Sequence, residues 1–407
     1  MTEEKAPDKN AEAEIERGAK ILKELEKGEW PSYITETKKT RYPVKAYGVS
    51  LSLRRNLWGV GGYVSVPGIP TGILMRVTTR PDIGESANLL RVYIPSGYFL
   101  PPKLLNLLAD CADKYGVGMV HALTTSSDVE IPGVPKDRLL DLVKELKSGG
   151  MDVGSTGDSF RNTTACVGPA LCEFANYDSL KVRDDFYDKF MDYAKYPTFP
   201  HKMKVKLSAC PLDCTRSSQK ADIAVIGTWE GAPEIDLKEV EHLASEDPAS
   251  LTRISETCPT RAIRVKGGSL DIVSADCVQC MECIKAFPGT LLPGRKKKFK
   301  ILVGGKLRGK KGPLTAKVLT YLDTEEQLFA CIDKIVSVYT DAAARKERLG
   351  DLISRIGMKE FLSLMNEKAN PNQVKELRTN VFYQITDEAR EVLVKDLKEK
   401  MGVRTDG

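Results

Sequence analysis

Cys166-Val-Gly-Pro-Ala-Leu-Cys172, followed after 37 residues by Cys210-Pro-Leu-Asp-Cys214, is the stretch on which the reading of this chain turns. A second set stands downstream: Cys258-Pro259, then Cys277-Val-Gln-Cys280-Met-Glu-Cys283. Eight of the ten cysteines thus fall into two groups of four with different spacings. Four thiolates meeting at one point is what an iron–sulfur cube needs, one sulfur per iron corner. Two such sets in one chain point to an electron path with a feeding end and a reactive end.

The second set has the C-x2-C-x2-C spacing that wraps a tight loop round a [4Fe–4S] cube. In two-cluster ferredoxins a fourth cysteine followed by proline ligates the other repeat's cube. Here that position is Phe287, before Pro288, and Cys258-Pro259 supplies the fourth ligand from upstream. One cluster follows, not two. The alternative, a zinc ribbon, expects two C-x2-C knuckles rather than a triplet plus one. The first set fits neither zinc fingers nor ordinary ferredoxins. By spacing alone it is a cluster or metal site, with four buried unligated thiols as the alternative, and Cys210 and Cys214 are placed to share a helix face. Cys111 and Cys331 each stand alone in an apolar helical pattern and read as core residues.

At 407 residues the chain has room for two or three domains. With 42% hydrophobic and 29% charged residues its composition is that of a soluble globular protein, and a formal charge of +5 does not imply nucleic acid. The basic runs Arg295-Lys-Lys-Lys-Phe-Lys300 and Lys306-Leu-Arg-Gly-Lys-Lys311 read as a solvated loop and strand edge. A docking surface for an acidic partner is the sharper alternative. No apolar run reaches bilayer-spanning length, and residues 1–10 lack the apolar stretch of a secretory signal, so no transmembrane segment and a cytoplasmic location are expected. In a reducing compartment dense cysteine motifs mean metal or redox chemistry.

Periodicity predicts an amphipathic helix over residues 11–28, strand and turns over 59–75, and a strand over 89–94. A helix over 101–115, strands over 117–132 and a helix over 137–147 complete an α+β module of ferredoxin-like type. Over residues 202–207 Lys202, Lys204 and Lys206 alternate with Met203, Val205 and Leu207, as on a strand with one apolar face. Residues 221–229 form a short apolar strand, 235–297 look inserted, and a strand over 299–304 returns to the main body. Helical patterns cover 325–361 and 387–400. Gly59-Val-Gly-Gly-Tyr-Val-Ser-Val-Pro-Gly68 lacks the G-K-[ST] ending of a phosphate loop and reads as a turn-rich approach to cofactor or core.

With these residues on the page, the chain resembles the sulfite and nitrite reductases that pair sirohaem with a [4Fe–4S] cluster, whose motif C-x5-C…C-x3-C is matched by Cys166, Cys172, Cys210 and Cys214. Within that family it looks like the alpha subunits of dissimilatory sulfite reductases. Leu25-Glu-Lys-Gly-Glu-Trp-Pro-Ser32, Ile226-Gly-Thr-Trp229, the insertion and Arg345-Lys-Glu-Arg-Leu-Gly-Asp-Leu352 carry that resemblance. It implies an α+β fold: a segment at 1–55, a sulfite/nitrite reductase-type ferredoxin-like half-domain at 56–150, and a sirohaem/4Fe–4S domain at 151–234 with 298–407. An inserted small ferredoxin domain fills 235–297.

The resemblance further implies sirohaem and two [4Fe–4S] clusters, with the sulfur of Cys214 bridging to the sirohaem iron. It implies a homologous beta subunit in an α2β2 assembly, an electron donor, and a small sulfur-carrier protein with a cysteine-bearing C-terminal arm. Sulfite would be gripped by Arg76, Arg161, Lys202 and Lys204, with Lys206 and Arg91 close by and Lys220 standing where relatives carry arginine. A lysine there keeps the charge and loses the planar bidentate grip. Because the family divides anion-binding residues and cysteines between half-repeats, those cations would face a sirohaem whose cluster belongs to beta, and Cys166 to Cys214 would hold a second tetrapyrrole. Arg54, Arg55, Arg80 and Arg183 are candidates for the cofactor's carboxylates, with ordinary surface charge as the alternative. Only His121, His201 and His242 occur, which argues against a bis-histidine haem. Sulfide oxidation, nitrite or assimilatory sulfite reduction, and an electron-transfer scaffold with a silent haem site are the competing functions.

Overall fold

The computed structural model describes residues 74–80, 85–123, 128–308 and 312–369, together with Glu16 and Lys20; residues 74–80, 85–87 and 123 are described as backbone alone. Of the helix expected over 11–28, Glu16 and Lys20 are helical, and the rest lies outside the described residues. The turn-rich stretch at 59–68 and the helix expected over 387–400 lie outside them too.

The first domain is an antiparallel sheet with two helices. Strands β1 (Leu74–Arg80) and β2 (Glu85–Tyr93) are followed by α1 (Pro102–Tyr115), β3 (His121–Leu123), β4 (Asp128–Pro135), α2 (Leu139–Ser148) and β5 (Asp152–Val153). The sheet order is β1-β2-β4-β3, with β5 also on β2. Pro102 opens α1, where its missing N–H costs nothing. Leu139, Leu142, Val143 and Leu146 make the buried stripe of α2, and they close one core with Leu90, Val92 and Cys111.

The second domain is built on a mixed five-stranded sheet. Its strands are β6 (Thr164–Ala165), β7 (Val205–Ser208), β8 (Ile223–Trp229), β13 (Lys297–Val303) and β14 (Lys317–Leu322), in the order β14-β13-β8-β7-β6. β6, β7 and β8 run parallel, and β13 and β14 are antiparallel to their neighbours. Helix α3 (Ser179–Lys195), capped by the Asp178 carboxylate, packs on the same apolar core as Met203, Val205 and Leu207. Helical patterns were expected over 325–361, and the structure places helices there. They are α7 (Glu325–Ala342), α8 (Leu349–Ile356) and α9 (Met358–Met365), the last two separated by Gly357 at a φ of 87° that side chains avoid.

The segment read as an insertion leaves from the end of β8 and returns at the start of β13. These strands are antiparallel neighbours, with Trp229 opposite Lys297, so the two ends lie side by side. Between them come β9 (Glu234–Ile235), α4 (Leu237–Glu246), α5 (Ser250–Glu256), the hairpin β10 (Ile263–Lys266) and β11 (Ser269–Ile272), α6 (Glu282–Ala286) and β12 (Leu291–Leu292). The first basic run was expected at a strand edge. Instead β13 lies between β8 and β14, and Lys296 and Lys298 pair with Glu230, Lys298 also with Asp323. In the second run Lys306 is buried against Asp351 at 2.6 Å, and 309–311 lie outside the described residues. Cys111 and Cys331 are buried on helices, as expected.

Asp222, fully buried before β8, ties distant parts together. Its carboxylate accepts from Arg348 Nε at 2.8 Å and Nη2 at 2.6 Å, and from the backbone N–H of Lys204 at 2.8 Å. Removing one member of such a pair leaves the other charged, buried and unpaired. Asp222→Ala is therefore expected to cost about 3–5 kcal/mol in urea unfolding. A loss within the range of ordinary surface substitutions would show that the pair carries little.

Candidate functional site

Cys166 and Cys210 are brought together by strand geometry. β6 and β7 are parallel neighbours, with Ala165 opposite Leu207, and each cysteine follows its strand's end. Cys166 donates its N–H to the Leu207 carbonyl at 3.0 Å, and its Sγ accepts the N–H of Ala209 at 3.1 Å. Cys172 follows a 3-10 turn at Gly168–Ala170. The shared helix face expected for Cys210 and Cys214 is absent: these residues sit in irregular turns. Asp213, at a left-handed φ of 47°, organises the loop instead. Its carboxylate accepts from Ser208 Oγ (2.8 Å), from the Ser217 N–H and hydroxyl (2.7 and 2.5 Å), and from those of Ser218 (3.0 and 2.7 Å). No spacing rule in the sequence marks that aspartate.

All four cysteines line one cavity of about 530 Å³. Thr164, Lys206, Arg216 and Lys220 share its wall, and Lys206 Nζ donates to Thr164 Oγ1 at 3.1 Å. From the first domain the wall receives Tyr98. That tyrosine sits at a φ of 63° directly after Gly97 at 72°, a pair of left-handed residues. The loop is anchored from beneath by the fully buried Arg183, which donates to the Ile94 carbonyl (2.7 Å), Ser96 Oγ (3.0 Å) and the Thr163 carbonyl (2.8 Å). Arg183 is spent on these oxygens and on the Tyr93 ring, 4.3 Å away, rather than facing the cavity.

The other cations form a separate group. Arg161 lies beside the Lys202–Lys204 segment that leads into β7, its N–H on the Met203 carbonyl at 2.8 Å. Phe160 and Met203 face the core, so Arg161, Lys202 and Lys204 alternate to the opposite face. The three are half-buried, not solvent-facing, and none lines the cysteine cavity. Burial, then the neighbouring Arg161 and Arg348, lowers Lys202 and Lys204 to about 8 each, and burial with Arg91 lowers Arg161 to about 9. The Nε of Arg161 is buried without a hydrogen-bond partner. Arg91 is near but committed: it is buried and paired with Glu130 (3.2 Å) and Asp128 (3.3 Å). Arg348 joins from just before α8 and was not singled out from the sequence; its position in the Arg345–Leu352 stretch was the available signal. For Arg76 and Arg80 the backbone strand β1 is described and the side chains are not; Arg54 and Arg55 lie outside the described residues.

The insertion brings Cys258, Cys277, Cys280 and Cys283 round a smaller cavity. Cys258 Sγ accepts the Ala262 N–H at 3.2 Å. Gln279 and Met281, in the loop between the sulfurs, have φ of 56° and 67°. Burial, and then Cys280, pushes the Cys283 thiol up to about 11. Among the described residues, no three Cys, His, Asp or Glu side chains converge tightly enough to hold a single metal ion. In each set the four cysteines line one cavity, and one backbone N–H is aimed at a sulfur: Ala209 at Cys166 and Ala262 at Cys258.

Residues 156–372 match the family model of the nitrite and sulphite reductase 4Fe-4S domain, and residues 84–149 that of the nitrite/sulfite reductase ferredoxin-like half domain. The chain is 31% identical to a dissimilatory-type sulfite reductase subunit alpha of Allochromatium vinosum, over 91% of this chain and 95% of that one. It is 24% identical to a dissimilatory-type sulfite reductase subunit beta of Nitratidesulfovibrio vulgaris, over 77% and 84%. The crystal structure of dissimilatory sulfite reductase I superposes with a TM-score of 0.74 at 26% identity, covering 93% of this chain and 98% of that one. Among the described residues no helix is long and apolar enough to cross a membrane. The chain belongs to the nitrite and sulphite reductase family, among its dissimilatory-type alpha subunits.

Proposed function

We propose that this chain is the alpha subunit of a dissimilatory-type sulfite reductase, working with a homologous beta subunit in a cytoplasmic α2β2 assembly. Cys166, Cys172, Cys210 and Cys214 hold a [4Fe–4S] cluster coupled to sirohaem; Cys258, Cys277, Cys280 and Cys283 hold a second, which is fed by an external donor. Transfer of the sulfur product to a small carrier protein belongs to the same reading, by resemblance. The observation that supports it best is the division of the cations. Lys206, Arg216 and Lys220 line the cysteine cavity, whereas Arg161, Lys202 and Lys204 form a second group away from it. That division suits a subunit whose anion-binding residues face a tetrapyrrole held by its partner's cluster.

When bound, sirohaem with its cluster supplies the electrons and the iron that reduction of sulfite requires. The chain's own residues supply the rest. Sulfite near neutral pH is a small oxyanion shared between singly and doubly charged forms, and Arg161, Lys202 and Lys204 bring N–H donors to such an oxyanion in a partly buried setting. With its Nζ near 8, each lysine is charged at neutral pH yet gives up a proton readily, which suits a reaction that consumes protons.

Arg161→Met and Lys204→Met are each expected to lower sulfite turnover on the order of 10²–10³-fold. Iron, acid-labile sulfide and the visible sirohaem bands should stay at wild-type levels in both. Unchanged turnover would favour the scaffold alternative instead. Sulfate, a redox-inert dianion, should raise the melting temperature at pH 7 and lose that effect above about pH 9. Both lysines have folded pKa values near 8, below the ordinary 10.5. Rising pH therefore strips their protons in the native state first and relieves their mutual repulsion. Anion affinity falls over the same window; an effect that grows with pH would contradict the assignment.

A further inference from the structure

Strand β8 passes from one cysteine centre to the other within two residues. Gly227 packs against the backbone of Ala209, which donates to Cys166 Sγ and precedes Cys210. A Cβ at position 227 would stand 2.7 Å from the Ala209 carbonyl carbon and 2.8 Å from the Tyr177 ring, so no larger residue fits. The next residue, Thr228, is fully buried and donates its hydroxyl to Oε1 of Gln279 at 3.0 Å. Gln279 lies between Cys277 and Cys280. Its Nε2 donates to the Trp229 carbonyl at 2.6 Å and to the Gly231 carbonyl at 3.1 Å. Both N–H groups and the oxygen of one amide are thus engaged across the boundary between the insertion and the main sheet. The residue holds this pose in a left-handed backbone conformation that L residues avoid. Packing is continuous beneath it: Cys210, Trp229, Met281 and Cys283 belong to one apolar cluster.

We propose that Gln279 is a positioning residue that fixes the gap between the two cysteine centres, by locking the Cys277–Cys283 loop onto the strand that also packs against the Cys166 and Cys210 site. This inference rests on the proposed function, in which one electron at a time, supplied by an external one-electron reductant, leaves the insertion's cluster and arrives at the other. No bond or proton moves in that step, so its rate depends on how closely and how rigidly the two centres are held. A loop fastened only by its own turns would open locally with little cost. A complete set of hydrogen bonds to a buried strand removes that freedom.

The test uses the intact holo-assembly carrying Gln279→Ala, and Gln279→Glu, which keeps the acceptor for Thr228 and loses both donated bonds. Iron and labile sulfide should match the wild type in both variants, and the potentials of the two clusters should match it in Gln279→Ala; the added carboxylate of Gln279→Glu is expected to lower the potential of the nearer cluster. After flash reduction, electron passage between clusters should slow on the order of tenfold or more, and amide exchange across residues 277–283 should rise in both variants. Wild-type transfer and exchange rates with both clusters present would overturn the inference. If Gln279→Ala loses its cluster, Thr228→Val, which removes only the far partner of the same amide, carries the test with the same outcomes. Wild-type protein without iron on Cys258, Cys277, Cys280 and Cys283 would overturn the proposed function itself, a result distinct from unchanged transfer.

Discussion

Every residue of β8 is buried, and that single constraint organises the molecule. A strand with no solvent face has to be satisfied on both edges and both sides. β7 and β13 take its edges, the apolar core takes Ile223 and Val225, and the opposite side takes Ala224 and Ile226. Asp222 at its start anchors Arg348, and the insertion departs from its end. The position of each cysteine loop is therefore inherited from the most deeply held segment of the fold, which is where rigid placement is least expensive.

The cationic group shows the opposite economy. Burying Arg161, Lys202 and Lys204 close together works against folding, since desolvation and like charge both disfavour it. Asp222 offsets part of that repulsion and is itself committed to Arg348. Under the proposed function, this imbalance belongs to an anion site whose desolvation is settled before the anion arrives. Perturbed lysines gathered around an arginine with an unpartnered nitrogen are the physical signature of such a site.

Much of this was legible in the chain. The cysteine spacings separated the two sets, and the alternation through Lys206 and Leu207 told which face was apolar, because both rest on local rules. The edge placement of the lysines near 296–298 failed because strand order is a tertiary property. The same pattern suits an outer strand or one flanked by acidic neighbours such as Glu230 and Asp323. The helical expectation for Cys210 and Cys214 failed for another reason. Five hydrogen bonds to the Asp213 carboxylate outweigh helix propensity over so short a segment. Arg348 could not be found from spacing, since 126 residues separate it from Asp222.

Tyr98 gives the cavity a further property. It is a wall residue contributed by the first domain, left-handed, in a loop that an arginine of the second domain anchors at Ile94 and Ser96. Whatever fills the space bears on both domains at once and acts as a keystone between them. An occupant that binds only the folded cavity then stabilises a domain that supplies no cysteine to the site, by an amount that rises with the logarithm of its affinity.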